Sequence, residues 1–220
     1  MSYSVAIDGP AGAGKSTIAK MVAKKLGFIY VDTGAMYRAM ALHLLRKGIP
    51  ATDSAAISAA CEDADITIQY QNGEQVVLLN GENVNGLIRT EEVGNMASSS
   101  STNGDVRKKL VSLQQKLAKT AEVIMDGRDI GTVVLPDADV KIYLTAGSDV
   151  RAKRRYDELT AKGEKCDLQK IEKDIIERDE RDMNREISPL RQAYDAVLVD
   201  SSYMTIEEVA EKIISLINKN

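Results

Sequence analysis

The sequence predicts a three-layer α/β fold around a central parallel sheet, and three observations carry that reading. An apolar run suited to a buried strand, Val5 to Ile7, stops at the glycine-rich turn Gly9-Pro10-Ala11-Gly12-Ala13-Gly14, after which Lys15-Ser16-Thr17 opens a run with helical periodicity. Strand and helix patterns then alternate at the spacing of βα units, whose parallel sheets bind ligands beyond the carboxyl ends of their strands. Finally, short β-prone runs separated by Asn72-Gly73 and Asn80-Gly81 mark a small antiparallel meander inserted into that fold, since both dipeptides suit type I′ hairpin turns.

The first turn fits G-x-x-x-x-G-K-[ST] from Gly9 to Ser16, the Walker A pattern of a P-loop NTPase-type fold. Glycines without Cβ let successive backbone N–H groups turn inward on a polyphosphate, and the helix N-terminus adds its dipole. Lys15 reaches the β- and γ-phosphates, while the Ser16 hydroxyl offers Mg²⁺ the oxygen ligand that a hard cation needs.

After the loop, Ile18, Met21, Val22, Ala23 and Leu26 form an amphipathic helix stopped by Gly27, a C-cap glycine. Phe28 to Val31 is a second buried strand, and Asp32-Thr33-Gly34-Ala35-Met36-Tyr37-Arg38 opens a helix running to about Lys47. Asp8, Gly9, Asp32 and Thr33 fall at the ligand-binding edge. A short helix over about 53–64 precedes the meander, whose runs are Ile66 to Tyr70, Gln75 to Leu79 and about Asn83 to Leu87. Helical pattern returns from Thr90 to Leu117, with a break near Ser98-Ser99-Ser100-Ser101-Thr102-Asn103-Gly104. Glu122 to Met125 is the next strand and ends in Asp126-Gly127-Arg128-Asp129, again charged residues at the carboxyl edge. Val140 to Leu144 is another strand, and a highly charged helical region follows from about Asp149 to Arg191. Val197 to Val199 is a last short strand. Thr205-Ile206-Glu207-Glu208 is a capping box opening a terminal helix with apolar positions Val209, Ile213, Leu216 and Ile217.

Inside the charged region, Leu168, Ile171 and Ile175 form an apolar stripe that continues at the same helical spacing as Arg178, Asp182 and Arg185. Charges on a core-facing stripe must meet solvent or an opposing ion, because burying them unpaired is costly. A transferring phosphoryl group is such an ion, and an arginine brought to it can be worth roughly 10³ to 10⁵ in rate. Arg181, Arg151, Arg154 and Arg155 are further candidates of this kind.

Composition narrows the classes. A chain of 220 residues, 44% hydrophobic and 28% charged, suits one substantial globular core. Its net charge of −4 and sparse aromatics argue against a nucleic-acid polymer as partner. Cys61 and Cys166 have no C-x-x-C or histidine context, so neither a zinc site nor a disulfide framework is indicated, and a reducing compartment fits. His43, the only histidine, sits among Met40, Ala41, Leu42, Leu44 and Leu45 as a helix-surface or partly buried residue, which disfavours serine-hydrolase triads and multi-histidine metal sites. With no apolar run of membrane-spanning length and no signal peptide, a soluble, unprocessed, cytoplasmic monomer is expected.

With the Walker loop, Asp32 to Arg38, Asp126 to Asp129 and Glu177-Arg178-Asp179-Glu180-Arg181-Asp182-Met183-Asn184-Arg185 in view, the chain closely resembles the bacterial cytidylate kinases over essentially its full length, including Ile7-Asp8-Gly9-Pro10 and Gly86-Leu87-Ile88-Arg89-Thr90. The resemblance implies phosphoryl transfer from ATP to CMP or dCMP, giving ADP and CDP or dCDP, with Mg²⁺. It implies a single P-loop kinase domain over 1–220, a nucleoside monophosphate-binding insertion at about 63–90, and a helical lid at about 149–191. ATP is assigned to Gly9, Pro10, Ala11, Gly12, Ala13, Gly14, Lys15, Ser16 and Thr17, and the metal to Ser16. CMP is assigned to Thr33, Arg38, Ser98, Arg107, Arg128, Asp129, Arg178, Asp182 and Arg185, with Lys15, Arg128, Arg178 and Arg185 as the catalytic set. Thr33 keeps the hydroxyl where that family often has serine.

The residues alone leave two other readings open. One is a P-loop kinase for another nucleoside monophosphate, shikimate or dephospho-coenzyme A, against which stand Asp126 to Asp129 and the meander. The other is a GTPase-type switch or nucleotide-sensing module, against which stand the missing N-K-x-D signature and a second arginine-rich segment that suits two substrates.

Overall fold

The computed structural model describes residues 2–218. The chain divides into two compact units: the first comprises the residues up to Tyr30 together with those from Ala121 onward, the second Val31–Thr120.

The first unit is built on parallel strands. β1 (Ser4–Asp8) leads through the glycine-rich loop into α1 (Lys15–Leu26), and β2 (Ile29–Asp32) begins just after Gly27, which closes α1 in the left-handed conformation. The helices α2 to α5 of the second unit follow, and the chain returns as β6 (Val123–Gly127), a π-turn over Ile130–Val134, β7 (Val140–Thr145), α6 (Ser148–Ala161), α7 (Leu168–Asn184), β8 (Val197–Asp200) and α8 (Ile206–Ile217). The sheet order is β2-β6-β1-β7-β8, with β1 parallel to β6 (Ile7 opposite Asp126) and to β7 (Val5 opposite Val140). Alternate residues of β1 enter one core: Val5 and Ile7 pack with Ile18 and Val22 of α1, Ile142 and Leu144 of β7, and Val209 and Ile213 of α8. Each such side chain, fully removed from water, contributes about 1.5–3 kcal/mol. The predicted capping box is present, with Thr205 and Glu208 bonding each other's backbone N–H.

The register of this sheet brings the loop against β7, and Gly9 is required there. A Cβ on Gly9 would lie 1.9 Å from the Leu144 carbonyl oxygen, and its φ of 150° suits no other residue.

The second unit contains α2 (Thr33–Arg46), α3 (Ser54–Asp63), the antiparallel sheet β3 (Ile66–Gln71), β4 (Glu74–Leu79) and β5 (Glu82–Asn83), then α4 (Glu91–Ser100) and α5 (Gly104–Ala118). Both hairpin turns are of the predicted kind, with positive φ at Asn72, Gly73, Asn80 and Gly81. Met36, Met40, Leu44, Ile57, Leu79, Ile88 and Leu110 fill its core.

Four local expectations are corrected. The run Asn83 to Leu87 is a strand only at Asn83; the Asn85 side chain accepts from Val77 N–H and donates to the Gln75 carbonyl, occupying groups that a longer ladder would use. Most of the serine run is helical, because Ser100 and Ser101 return their hydroxyls to helix carbonyls, and the break is confined to the three residues before Gly104. There the Asn103 side chain caps α5 by accepting from Asp105 and Val106 N–H. The charged region is two helices, interrupted at Gly163 with φ of 79° and ending at Asn184, where Arg185 turns to extended backbone. His43 is buried, its Nε2 3.1 Å from the Ala60 carbonyl, where burial pushes its pKa down.

Candidate active site

The glycine-rich loop carries the first part of the site. Gly12 and Gly14 have φ of 75° and 85°, and Gly14, as the N-cap of α1, supplies no side-chain cap to the donors that open the helix. A helix start of this kind presents its N–H groups and dipole to an anion. Lys15 is buried and donates to the Pro10 carbonyl at 2.7 Å. Burial pushes its ammonium pKa well down, and the neighbouring Arg128 charge acts in the same direction. The Ser16 hydroxyl donates to Asp126 Oδ2 at 2.8 Å, and the Tyr30 hydroxyl donates to Asp126 Oδ1 at 2.8 Å. Asp126, the partner of Ile7 in the sheet register, thereby sets a carboxylate directly behind the predicted metal ligand.

A second cluster lies on β6, the segment after it, and α7. Arg128 Nε donates to Asp182 Oδ2 at 2.8 Å, and Arg185 Nη2 stands 3.7 Å from Asp129 Oδ1. Arg185 Nε also donates to the Ser188 carbonyl. Burial alone would raise the Asp182 carboxyl, but Arg128, Arg178 and Arg185 together outweigh it and hold the group below the usual carboxylate range. Of the predicted residues, the fold therefore brings together Arg128, Asp129, Arg178, Asp182 and Arg185.

The apolar half of the stripe on α7 is not the core face it was expected to be, and the charged half meets opposing ions rather than solvent. Leu168 is 39% exposed and Ile171 and Ile175 are half-buried, whereas Asp182 is 8% exposed and the Arg185 side chain is inside. Ion pairing, rather than apolar contact, anchors this face.

Two buried groups that the sequence placed near the site have partners it did not indicate. Arg151, on α6, donates from Nε to the Ala146 carbonyl and from Nη1 to the Ala11 carbonyl of the loop, and pairs with Asp179 of α7 at 2.7 Å. Asp8 accepts from the N–H groups of Ile130 and Gly131, and burial pushes its pKa up to about 6 despite those bonds. The sequence marked Asp8 and Asp126 by their shared position, a carboxylate at the carboxyl end of a buried apolar strand, but not their bonding partners.

The remaining predicted residues lie in the second unit, on helices that pack together. Thr33 is buried at the start of α2, next to its N-cap Asp32, whose other oxygen pairs with Arg89 at 2.7 Å. Arg38 is half-buried about one turn further on. Arg107, on α5, is buried, donates to the Ser101 carbonyl and lies 5.8 Å from the centre of the Tyr37 ring. Ser98 is half-buried on α4.

The sequence signature described as Cytidylate kinase matches residues 5–219. The chain belongs to the cytidylate kinase family. It is 52% identical over 216 residues to a cytidylate kinase of Caldicellulosiruptor saccharolyticus, an alignment covering 98% of this chain and 96% of that protein. It is 46% identical over 218 residues to the cytidylate kinase of Shouchella clausii, covering 99% and 97%. Among solved structures, a gluconokinase from Sinorhizobium meliloti has a TM-score of 0.50 at 14% identity, covering 97% of this chain and 90% of that one. A shikimate kinase from Bacteroides thetaiotaomicron has a TM-score of 0.50 at 13% identity, covering 98% of each. These two likenesses concern the fold alone, and they agree with the predicted P-loop type of α/β fold. As a member of the cytidylate kinase family, the chain is a nucleoside monophosphate kinase, a transferase with a P-loop nucleotide-binding site.

The donor set suits the hard cation that such kinases generally use. Among the described residues no group of three or more His, Cys, Asp or Glu side chains forms a metal cage. One hydroxyl backed by one carboxylate matches Mg²⁺, which keeps waters and substrate oxygens and takes few protein ligands. Also among the described residues, no helix is long and apolar enough to cross a membrane.

Proposed function

We propose that the loop from Gly9 to Thr17 and the paired charges of Arg128, Asp129, Arg178, Asp182 and Arg185 are the two halves of the machinery by which this chain transfers the γ-phosphoryl group of ATP to CMP or dCMP, giving ADP and CDP or dCDP. The observation that carries the assignment is the sheet register. Asp8, which leads into the loop, lies opposite Gly127, which leads into Arg128, so the loop and the arginine cluster leave neighbouring strands at the same edge of the sheet.

On the donor side, loop N–H groups and Lys15 hold the β- and γ-phosphates. Lys15 exchanges its bond to the Pro10 carbonyl for one to phosphate oxygen. Mg²⁺, when bound at Ser16 with Asp126 behind the hydroxyl, supplies charge neutralisation on the phosphate oxygens. On the acceptor side, Arg38 and Arg128 take the α-phosphate of CMP, while Arg178, Asp182 and Arg185 serve sugar and phosphate. Cytosine offers an N4 donor and N3 and O2 acceptors, so Asp129 and Ser98 accept from N4 and Arg107 donates to N3 and O2, with Thr33 as a further polar contact. Uracil turns a carbonyl toward the same carboxylate and binds less well.

The attacking oxygen belongs to a phosphate whose second pKa is about 6, so no protein base is required. Catalysis is alignment and charge neutralisation by Lys15, Arg128, Arg178 and Arg185. In this reading α6 and α7 act as the lid that excludes water, the β3–β5 insertion serves nucleoside monophosphate binding, and the whole chain functions as one cytoplasmic, monomeric kinase without a nucleic-acid partner. The test is ADP formation from ATP and Mg²⁺ with CMP, dCMP, UMP, AMP, dTMP, shikimate or no acceptor. Strong stimulation by CMP and dCMP is expected, and acceptor-independent hydrolysis would remove the acceptor assignment.

A further inference from the structure

Asp8 is the last residue of β1 and stands directly before Gly9. Oδ1 accepts from Ile130 N–H at 2.8 Å and Oδ2 from Gly131 N–H at 2.7 Å, and the side chain is 4% exposed. These N–H groups open the π-turn Ile130–Val134. The first donors of any helical turn lack internal partners, and the residue at the N-cap normally supplies them from its own side chain. Here the N-cap is Asp129, a residue type well suited to that task, and it makes no side-chain cap bond. Its carboxylate is turned instead toward Arg185. A residue more than a hundred positions earlier in the chain does the capping. The arrangement is tight: a Cβ on Gly131 would lie 3.4 Å from Asp8 Oδ2 and 3.2 Å from Cδ of Lys141, whose ammonium is itself held by the Pro136 carbonyl and Asp195.

We propose that Asp8 is a positioning residue for the acceptor nucleotide: by capping the π-turn in place of Asp129, it fixes the backbone from Arg128 to Gly131 and keeps the Asp129 carboxylate directed at the cytosine base. This rests on the assignment of Asp129 to the base. Without the Asp8 carboxylate, Asp129 is the nearest acceptor in sequence for its own turn and rotates into the capping role.

The experiment is steady-state kinetics of Asp8→Asn, Asp129→Ala, the double variant and Gly131→Ala, with CMP and ATP varied in turn. An asparagine keeps one acceptor but sets an amide N–H₂ against the other backbone donor. Misplacing a positioned group by about 1 Å can cost on the order of 100-fold, so Asp8→Asn is expected to raise KM for CMP by roughly 10- to 100-fold while KM for ATP stays near that of the parent. Because both residues act through one carboxylate, the double variant should be no worse toward CMP than Asp129→Ala alone. Gly131→Ala, which crowds the same contact from the other side and leaves β1 intact, should move KM for CMP in the same direction and serves if Asp8→Asn does not fold. An Asp8→Asn effect falling equally on ATP would mean that Asp8 supports the loop, and fully additive losses would mean that it acts apart from Asp129; either overturns the inference. If Asp129→Ala leaves KM for CMP unchanged, the base assignment fails and takes this inference with it. A selective Asp129→Ala beside an inert Asp8→Asn and Gly131→Ala sinks the inference alone.

Discussion

Replacing Arg151 by methionine tests how the glycine-rich loop is held from behind. The Arg151 and Asp179 side chains are 6% and 9% exposed, so their 2.7 Å ion pair is screened little by solvent. Asp179 Oδ1 has no hydrogen-bond partner among the described residues, which leaves the carboxylate dependent on Arg151. Breaking a buried pair from one side strands the other charge, at a cost of about 3–5 kcal/mol. The Ala11 and Ala146 carbonyls lose donors as well, which places Arg151→Met toward the upper end. For a chain of this size each kcal/mol moves Tm by about 2–4 °C, so differential scanning calorimetry should show a fall of roughly 6–20 °C. The second half of the test is Arg151→Met/Asp179→Leu. Once no charge is stranded, a hydrophobic pair of similar volume is often neutral, and most of the lost Tm should return. A single variant that melts like the parent, or a double variant that melts below the single, would refute the claim that the stranded carboxylate sets the cost.

The other predictions concern turnover. Lys15→Ala should lower kcat by on the order of 10²-fold or more with the far-UV circular dichroism unchanged, because the ammonium acts on charge that develops at the transferring group; near-normal kcat would remove the phosphate-clamp role. Arg185→Ala should lower kcat or CMP affinity by roughly tenfold, as loss of a charge-assisted contact does. Unchanged values for both would make the α7 arginines a purely structural ion-pair network.

What the sequence disclosed was local. Gly9 to Thr17 is a contiguous motif, Asn72-Gly73 and Asn80-Gly81 carry their turn type in two residues each, and Thr205 with Glu208 is a cap within one turn, so spacing alone revealed them. The end of the meander failed because Asn85 uses its side chain as a third strand would use backbone, and no propensity records that. The α7 stripe was recognised but its apolar half was misplaced in the core, since periodicity says which residues share a face and not what opposes it; Arg128 and Asp129 oppose the charged half. Arg151 with Ala11, Asp126 with Ser16, and Asp8 with Ile130 join residues 140, 110 and 122 positions apart. Each is a contact made by the tertiary fold, which no local window contains.

The strand order β2-β6-β1-β7-β8 also bears on how the chain is made. β1 precedes the other described strands, yet both of its hydrogen-bonding neighbours, β6 and β7, lie more than a hundred residues further along the chain. Until Val123 has been synthesised, Val5 to Ile7 is an apolar segment with two open edges, the kind of segment that finds wrong partners. Val31–Thr120, by contrast, is contiguous and has its own core, available as soon as it emerges. The strand that carries the glycine-rich loop thus waits for residues made more than a hundred positions later before either of its edges is covered.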